Sequence, residues 1–450
     1  MPAQGVSLFK QQGLSFLPIV AASVTTFLIL FARWFFRSVC CAYSMPWPVP
    51  TWLNIEQPQS LSLRKWLPTL FALASGAAGA VLLLWPPGKP TQMLEFWALL
   101  IGVPFIACCF IFGVALNRWE REKVDAEEGA REQERLMDLW RLWSSRHLRV
   151  ATSVAVMPVP ASTFGELGGD LPVNKDRSKG LGWKVDNSAN ERYSRVLTEL
   201  ASRLKKSFEN RREITVELLY SETPDRIKVF SDELKAALGV TAPGVRFTMN
   251  SDASTRCAQW ITDQVDRLND VTTLVVAAQS WPDEESPGVF TEGVAALLLE
   301  PNVSRDRSRA NRNAADDDTS LKANHVSRPM TTTADTLEAD IAQMLEMLEM
   351  QAAPSRPTHL WHTGCDAALS SAIQSAMKAD PKNPVIERSF DYVVGLPGPA
   401  TSWIMLATAL EVAPQGSPPQ LLAWRDPVDG QLHLCTIAPA EQQNKVTQES

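Results

Sequence analysis

Thr272–Ala278 (TTLVVAA) and Val294–Leu299 (VAALLL) decide the fold. Both runs are continuously apolar, without the alternation of a half-exposed strand, and both are too short for a core helix. Strands of that kind are covered on both faces, as in layered α/β proteins. Working upstream, Arg149–Val159 reads as a strand, Glu191–Asn210 as an amphipathic helix and Glu213–Tyr220 as a strand. Ile227–Leu238 follows as a helix, Val245–Met249 as a strand and Ala258–Leu268 as a helix. Downstream, Thr336–Met350 is a helix with a methionine stripe. Then come strand His359–Trp361, helix Ala367–Met377, strand Tyr392–Val394, helix Trp403–Val412 and strands Gln420–Trp424 and His433–Ile437. The second half repeats the scheme of the first, so residues 149–440 read as one α/β domain on a mixed sheet. Within it, 305–330 is polar and charged and reads as a disordered excursion. Residues 441–450 form a tail.

The N-terminal part differs sharply. Leu67–Trp85 and Phe96–Leu116 carry no charged residue, and each has about the 20 residues that cross a bilayer. Trp66, Trp85, Trp97 and Trp119 lie at their ends, where such rings favour the headgroup level. The short PPGKPTQMLE connection makes 45–116 a transmembrane helical hairpin. Leu14–Ala32, within 1–44, is a third candidate span; a signal peptide, or a true start at Met45, are its rivals. Arg64, Lys65, Arg118, Arg121 and Lys123 flank the outer ends of the hairpin, while its turn has only Lys89. Positive-inside then places residues 117–450 in the cytoplasm of a multi-pass protein. Residues 117–148 read as a membrane-proximal amphipathic helix, with Leu136, Leu139, Trp140 and Trp143 at helical spacing.

A net charge of -7 argues against nucleic acid as a partner. The seven cysteines are Cys40, Cys41, Cys108, Cys109, Cys257, Cys365 and Cys435. Their spacing offers neither a disulfide framework nor a zinc motif, and fits a reducing compartment. No phosphate loop, HExxH or GxSxG is present. The acidic run Asp316–Asp318 reads as solvated, and no cofactor or metal is expected.

Three segments in order carry a likeness. In DASTRCAQWITDQVDRLNDVTTLVVAAQSW, Cys257 opens a helix that leads into a buried strand, and FTEGVAALLLEP follows. In HLWHTGCDAALSSAIQSAM, His362 precedes a helix; FDYVVGLPGPATSWIMLATALEVA and a closing hairpin complete the series. The series resembles the thiolase-like fold as used by β-ketoacyl synthases, over roughly residues 150–440. That resemblance implies a nucleophilic Cys257 at a helix N-terminus, His362 in the first histidine loop, and a dimer. It departs from the family where a second histidine is expected, since Gly395 is followed by Leu396-Pro397-Gly398. Arg256 also stands where a small residue is expected. The turn Leu82–Thr91 (LLLWPPGKPT) is similar to that of uncharacterised Gram-negative inner-membrane proteins, some linked to type VI secretion loci.

The expectation is therefore transmembrane helices followed by a thiolase-like layered α/β domain in the bacterial inner membrane. The incomplete catalytic set favours a non-catalytic scaffold or adaptor with the bilayer and a protein as partners. The alternative is a membrane-tethered acyl-transfer or condensing enzyme using Cys257 and His362.

Overall fold

A computed structural model describes residues 58, 62–165, 171–181, 189–208, 214–220, 223–239, 245–249, 256–267, 271–281, 289–301, 323–351, 356–378, 384–413 and 418–439. The candidate span Leu14–Ala32, most of the 305–330 excursion and the 441–450 tail lie outside them. The chain divides into two compact units, 1–140 and 141–450.

The first unit contains two apolar helices, α1 (Leu63–Leu84) and α2 (Leu94–Ser144), joined by a Pro-Pro-Gly turn. Both are long and apolar enough to cross a membrane. They pack antiparallel: Trp66 meets Phe112 edge-on at 6.2 Å near one end, and Trp85 meets Phe96 at 5.0 Å near the other. Their outward side chains, among them Phe71, Leu83, Ile101, Phe105 and Phe110, are exposed. Helix α2 runs on without a break through the charged segment expected to be helical.

The second unit begins with strand β1 (His147–Val156). The first half continues with α3 (Ala189–Phe208), β2 (Ile214–Tyr220), α4 (Pro224–Gly239), β3 (Val245–Met249), α5 (Cys257–Asp266), β4 (Thr273–Gln279) and β5 (Gly293–Leu299). The second half has β6 (Asn324–Ser327), β7 (Met330–Thr332), α6 (Leu337–Gln351), β8 (His359–Thr363), α7 (Ala367–Ala376), β9 (Ile386–Ser389) and α8 (Phe390–Val394). It ends with α9 (Thr401–Val412), β10 (Gln420–Arg425) and β11 (Leu432–Pro439).

The strands form one sheet in the order β3-β2-β4-β5-β1-β6-β11-β10-β8-β9, with β7 beside β11. Strands β3, β2 and β4 are parallel, and β5 is antiparallel to its neighbours β4 and β1. In the second half β9, β8 and β10 are parallel, and β11 is antiparallel to β10 and β6. Counting strands from the start of each half, with β6 as first in the second and the short β7 left out, both halves read 3-2-4-5-1 with strand 5 reversed. The repetition expected from the sequence is thus a duplicated topology. Strand β1 joins the halves: its start pairs with β6 and its remainder with β5.

Every residue of β4 and β5 is buried, as their unbroken apolar runs require. One face of the first half-sheet carries α3 and α4, which present Val196, Leu197, Leu200, Leu204 and Phe230, Leu234, Leu238 to Val216, Leu274, Val276 and Leu298. The opposite faces of both half-sheets meet α5 and α9. Helix α9 is buried at every position from Thr401 to Leu410, so it has no exposed face over that span. Trp260 of α5 and Trp403 of α9 meet edge-on at 5.1 Å and hold the inner helices together.

Two expectations need correction. Tyr392–Val394 is a helical turn, not a strand; the strand lies earlier, at Ile386–Ser389. The β-branched and aromatic residues read as strand, but Asn174 bonds the carbonyls of Tyr392 and Val393, and Gly395 ends the turn at φ 113°. Within the 305–330 segment expected to be disordered, Asn324–Ser327 and Met330 belong to strands. Arg328, which falls within the segment expected to be disordered, is 1 % exposed. It makes two hydrogen bonds to Asp266, at 2.9 and 2.6 Å, and its guanidinium lies 4.1 Å over the Trp143 ring.

Candidate functional site

Cys257 is the first residue of α5, where the resemblance expects it. Its thiol is 1 % exposed and belongs to the core formed by α5, α9 and the inner sheet faces. Ser402 of α9 hydrogen-bonds to it, and Cys435 and Asp426 lie close by. Burial pushes the thiol pKa well up; the Ser402 bond opposes this, and the nearby Cys435 and Asp426 add to it. A nucleophilic cysteine needs the reverse, a thiolate favoured by its surroundings.

His362 lies elsewhere. Along β8 successive side chains point to opposite faces. Trp361 points into the inner core that holds Cys257. His362 therefore faces the other side, where its Nε2 lies 2.8 Å from Glu387 Oε1. Ser370 and Gln374 of α7 also donate to Glu387. Burial raises the Glu387 pKa, but these bonds outweigh it and hold the carboxyl below its ordinary value. The structure does not bring His362 and Cys257 together.

The Thr363-Gly364 pair that follows His362 closes a turn. The Thr363 hydroxyl and the Gly364 amide both donate to Asp391, and Gly364 adopts φ 68°. Burial keeps the Asp391 pKa raised despite those bonds. Where the resemblance expects a second histidine, Gly395–Gly398 is a bolted turn. Leu396 exchanges backbone bonds with Arg177 and Thr291, and Gln279 accepts from the Ala400 amide at 2.8 Å.

The start of α5 borders a cavity of about 330 Å³. Arg256, Gln259 and Thr262 line it from the helix side, and Thr331, Asp426 and His433 from β7 and the β10–β11 hairpin. Ligand atoms of Asp426, Asp429 and His433 lie within 4.8 Å of one another. Burial lowers the His433 pKa; Asp426 and Asp429 oppose that without cancelling it. The sequence reading took this segment only as a closing hairpin. Its signal was two aspartates, Asp426 and Asp429, leading into Gly430 of the turn, with His433 on the returning strand.

No family model and no curated protein matches the chain. Among solved structures, it is similar to the peroxisomal 3-ketoacyl-CoA thiolase of Saccharomyces cerevisiae, at 12 % identity and TM-score 0.41, covering 66 % of this chain and 98 % of that one. A tetronic acid condensing enzyme matches at 13 % and 0.38, covering 64 % and 99 %. OleA of Xanthomonas campestris matches at 10 % and 0.36, covering 65 % and 98 %. The second unit is a mixed, layered α/β fold with a duplicated strand order and a buried inner helix pair.

Proposed function

We propose that the chain is a membrane-tethered, non-catalytic scaffold or adaptor whose thiolase-like unit binds a protein partner. The observation that carries this reading is the position of Cys257. Its thiol is sealed in the core, its pKa is raised by burial, and His362 is on the other face of the sheet. In this reading α1 and α2 span the bacterial inner membrane. The cations beyond the outer ends of the hairpin, against the single Lys89 in its turn, support a cytoplasmic second unit. The likeness of Leu82–Thr91 to inner-membrane proteins near type VI secretion loci makes a secretion component the partner class.

Thiol chemistry tests the reading. In the folded chain, iodoacetamide is expected to label Cys257 no faster than the equally buried Cys435, whose thiol pKa burial pushes up to about 12. Labelling of Cys257 by iodoacetamide or an acyl-thioester far ahead of Cys365 and Cys435 would support the condensing enzyme instead. Topology has its own check: alkaline phosphatase fused after residue 450 is expected to be inactive in cells. Activity there would place the second unit outside.

A further inference from the structure

We propose that Asp426, Asp429 and His433 together hold one divalent cation of the Zn²⁺ type on the wall of the cavity beside α5. Asp426 and His433 are both more than nine-tenths buried and both line that cavity. Each keeps one coordinating atom without a partner among the described residues. Asp426 Oδ1 accepts from the Val428 amide at 2.8 Å, which leaves Oδ2. His433 Nδ1 lies 3.1 Å from Thr331 Oγ1, which leaves Nε2. Neither aspartate forms an ion pair with a described Lys or Arg. A buried carboxylate beside a second carboxylate is costly unless a cation balances it.

The donor set points to the class of ion. An imidazole with two carboxylates suits a borderline transition ion better than Ca²⁺, which takes six to eight oxygens. Zn–N and Zn–O bonds of about 2.0–2.2 Å put ligand atoms roughly 3.4 Å apart in a tetrahedron. One ligand atom from each residue already lies within 4.8 Å of the others, so closure of roughly 1.4 Å is needed; Asp429 is exposed, and with its Oδ1 accepting from the Gln431 amide at 2.9 Å its Oδ2 is the atom available. Thr331 plays the part that outer partners play at metal histidines: with Nδ1 donating to its hydroxyl, the ring is oriented and Nε2 carries the lone pair. Three protein ligands leave the fourth position open to the cavity, the arrangement of sites that bind a further small ligand.

Co²⁺ titration of the detergent-solubilised full chain tests this, since Co²⁺ reports its ligands spectroscopically. One equivalent is expected, with bands of a nitrogen–oxygen site, no thiolate charge-transfer absorption, and displacement by Zn²⁺. Asp429→Ala removes an exposed side chain and its bond from the Gln431 amide and should weaken binding at least about 10-fold, whereas Asp429→Asn, which keeps that bond, should weaken it by a similar factor; Thr331→Val should weaken it about 10-fold. His433→Gln should abolish it. The proposal is overturned if the chain binds no Co²⁺ at millimolar ion, or if binding is unchanged in both Asp429→Ala and His433→Gln. A thiolate band that survives Asp429→Ala would equally overturn it.

Discussion

Gly395→Ala is expected to destabilise the second unit by roughly 3–5 kcal/mol, combining backbone strain with overpacking. Gly395 sits at φ 113°, a conformation that side chains rarely adopt. A Cβ there would collide with the Arg177 carbonyl oxygen and lie 2.7 Å from Thr291 Oγ1. The first of these is backbone, fixed by its own bond from the Leu396 amide at 3.0 Å, so it cannot step aside. The change should lower the thermal midpoint of tryptophan fluorescence by about 5–8 °C. A shift under about 2 °C would mean that the turn relaxes freely.

Acidification should weaken the folded state strongly through His325. This ring stacks on His147 with centroids 4.0 Å apart. Burial, then His147 and Arg149, lower its pKa to about 3. The unfolded chain binds the proton at the ordinary value near 6.5, so between about 6.5 and 3 it binds more protons than the folded chain. Stability therefore rises with pH across that window and is lost as pH falls through it, by on the order of 4 kcal/mol. His359 and His433, also lowered chiefly by burial, act in the same direction. Asp391 acts oppositely, because its raised pKa makes protonation favour the folded state. Denaturant midpoints measured across this range should show the slope, and His325→Gln should flatten most of it. An equal slope in the variant would remove His325 from the account.

The parts of the fold that could be read in advance are those where one-dimensional pattern and burial agree. Strands β4 and β5 are covered on both faces, and their runs say so. Helix α3 has one buried stripe, and its periodicity says so. Misreadings arose where a tertiary partner overrode composition. Arg328 is a buried charge only because Asp266 and Trp143 receive it, and both are distant in sequence. Tyr392–Val394 turns because Asn174 supplies the missing donors. The site was less legible still. Whether His362 could meet Cys257 depended on which face of β8 it takes, and that is fixed only by Trp361 entering the core. The trio Asp426, Asp429 and His433 converges through a hairpin register that pairs Trp424 with His433, which composition does not encode.

The short, buried and largely apolar helix α9 bears on how the chain partitions. In a chain delivered to a membrane, a translocon samples every apolar helix as it emerges. Helix α9 is as greasy as a span, but its 12 residues reach only about 18 Å, against the roughly 30 Å of a hydrocarbon core. Lateral release into lipid would leave its ends short of both headgroup layers. The inner faces of the two half-sheets close around it instead. By length α9 suits the protein interior, while α1 and α2 are long and apolar enough to cross a bilayer.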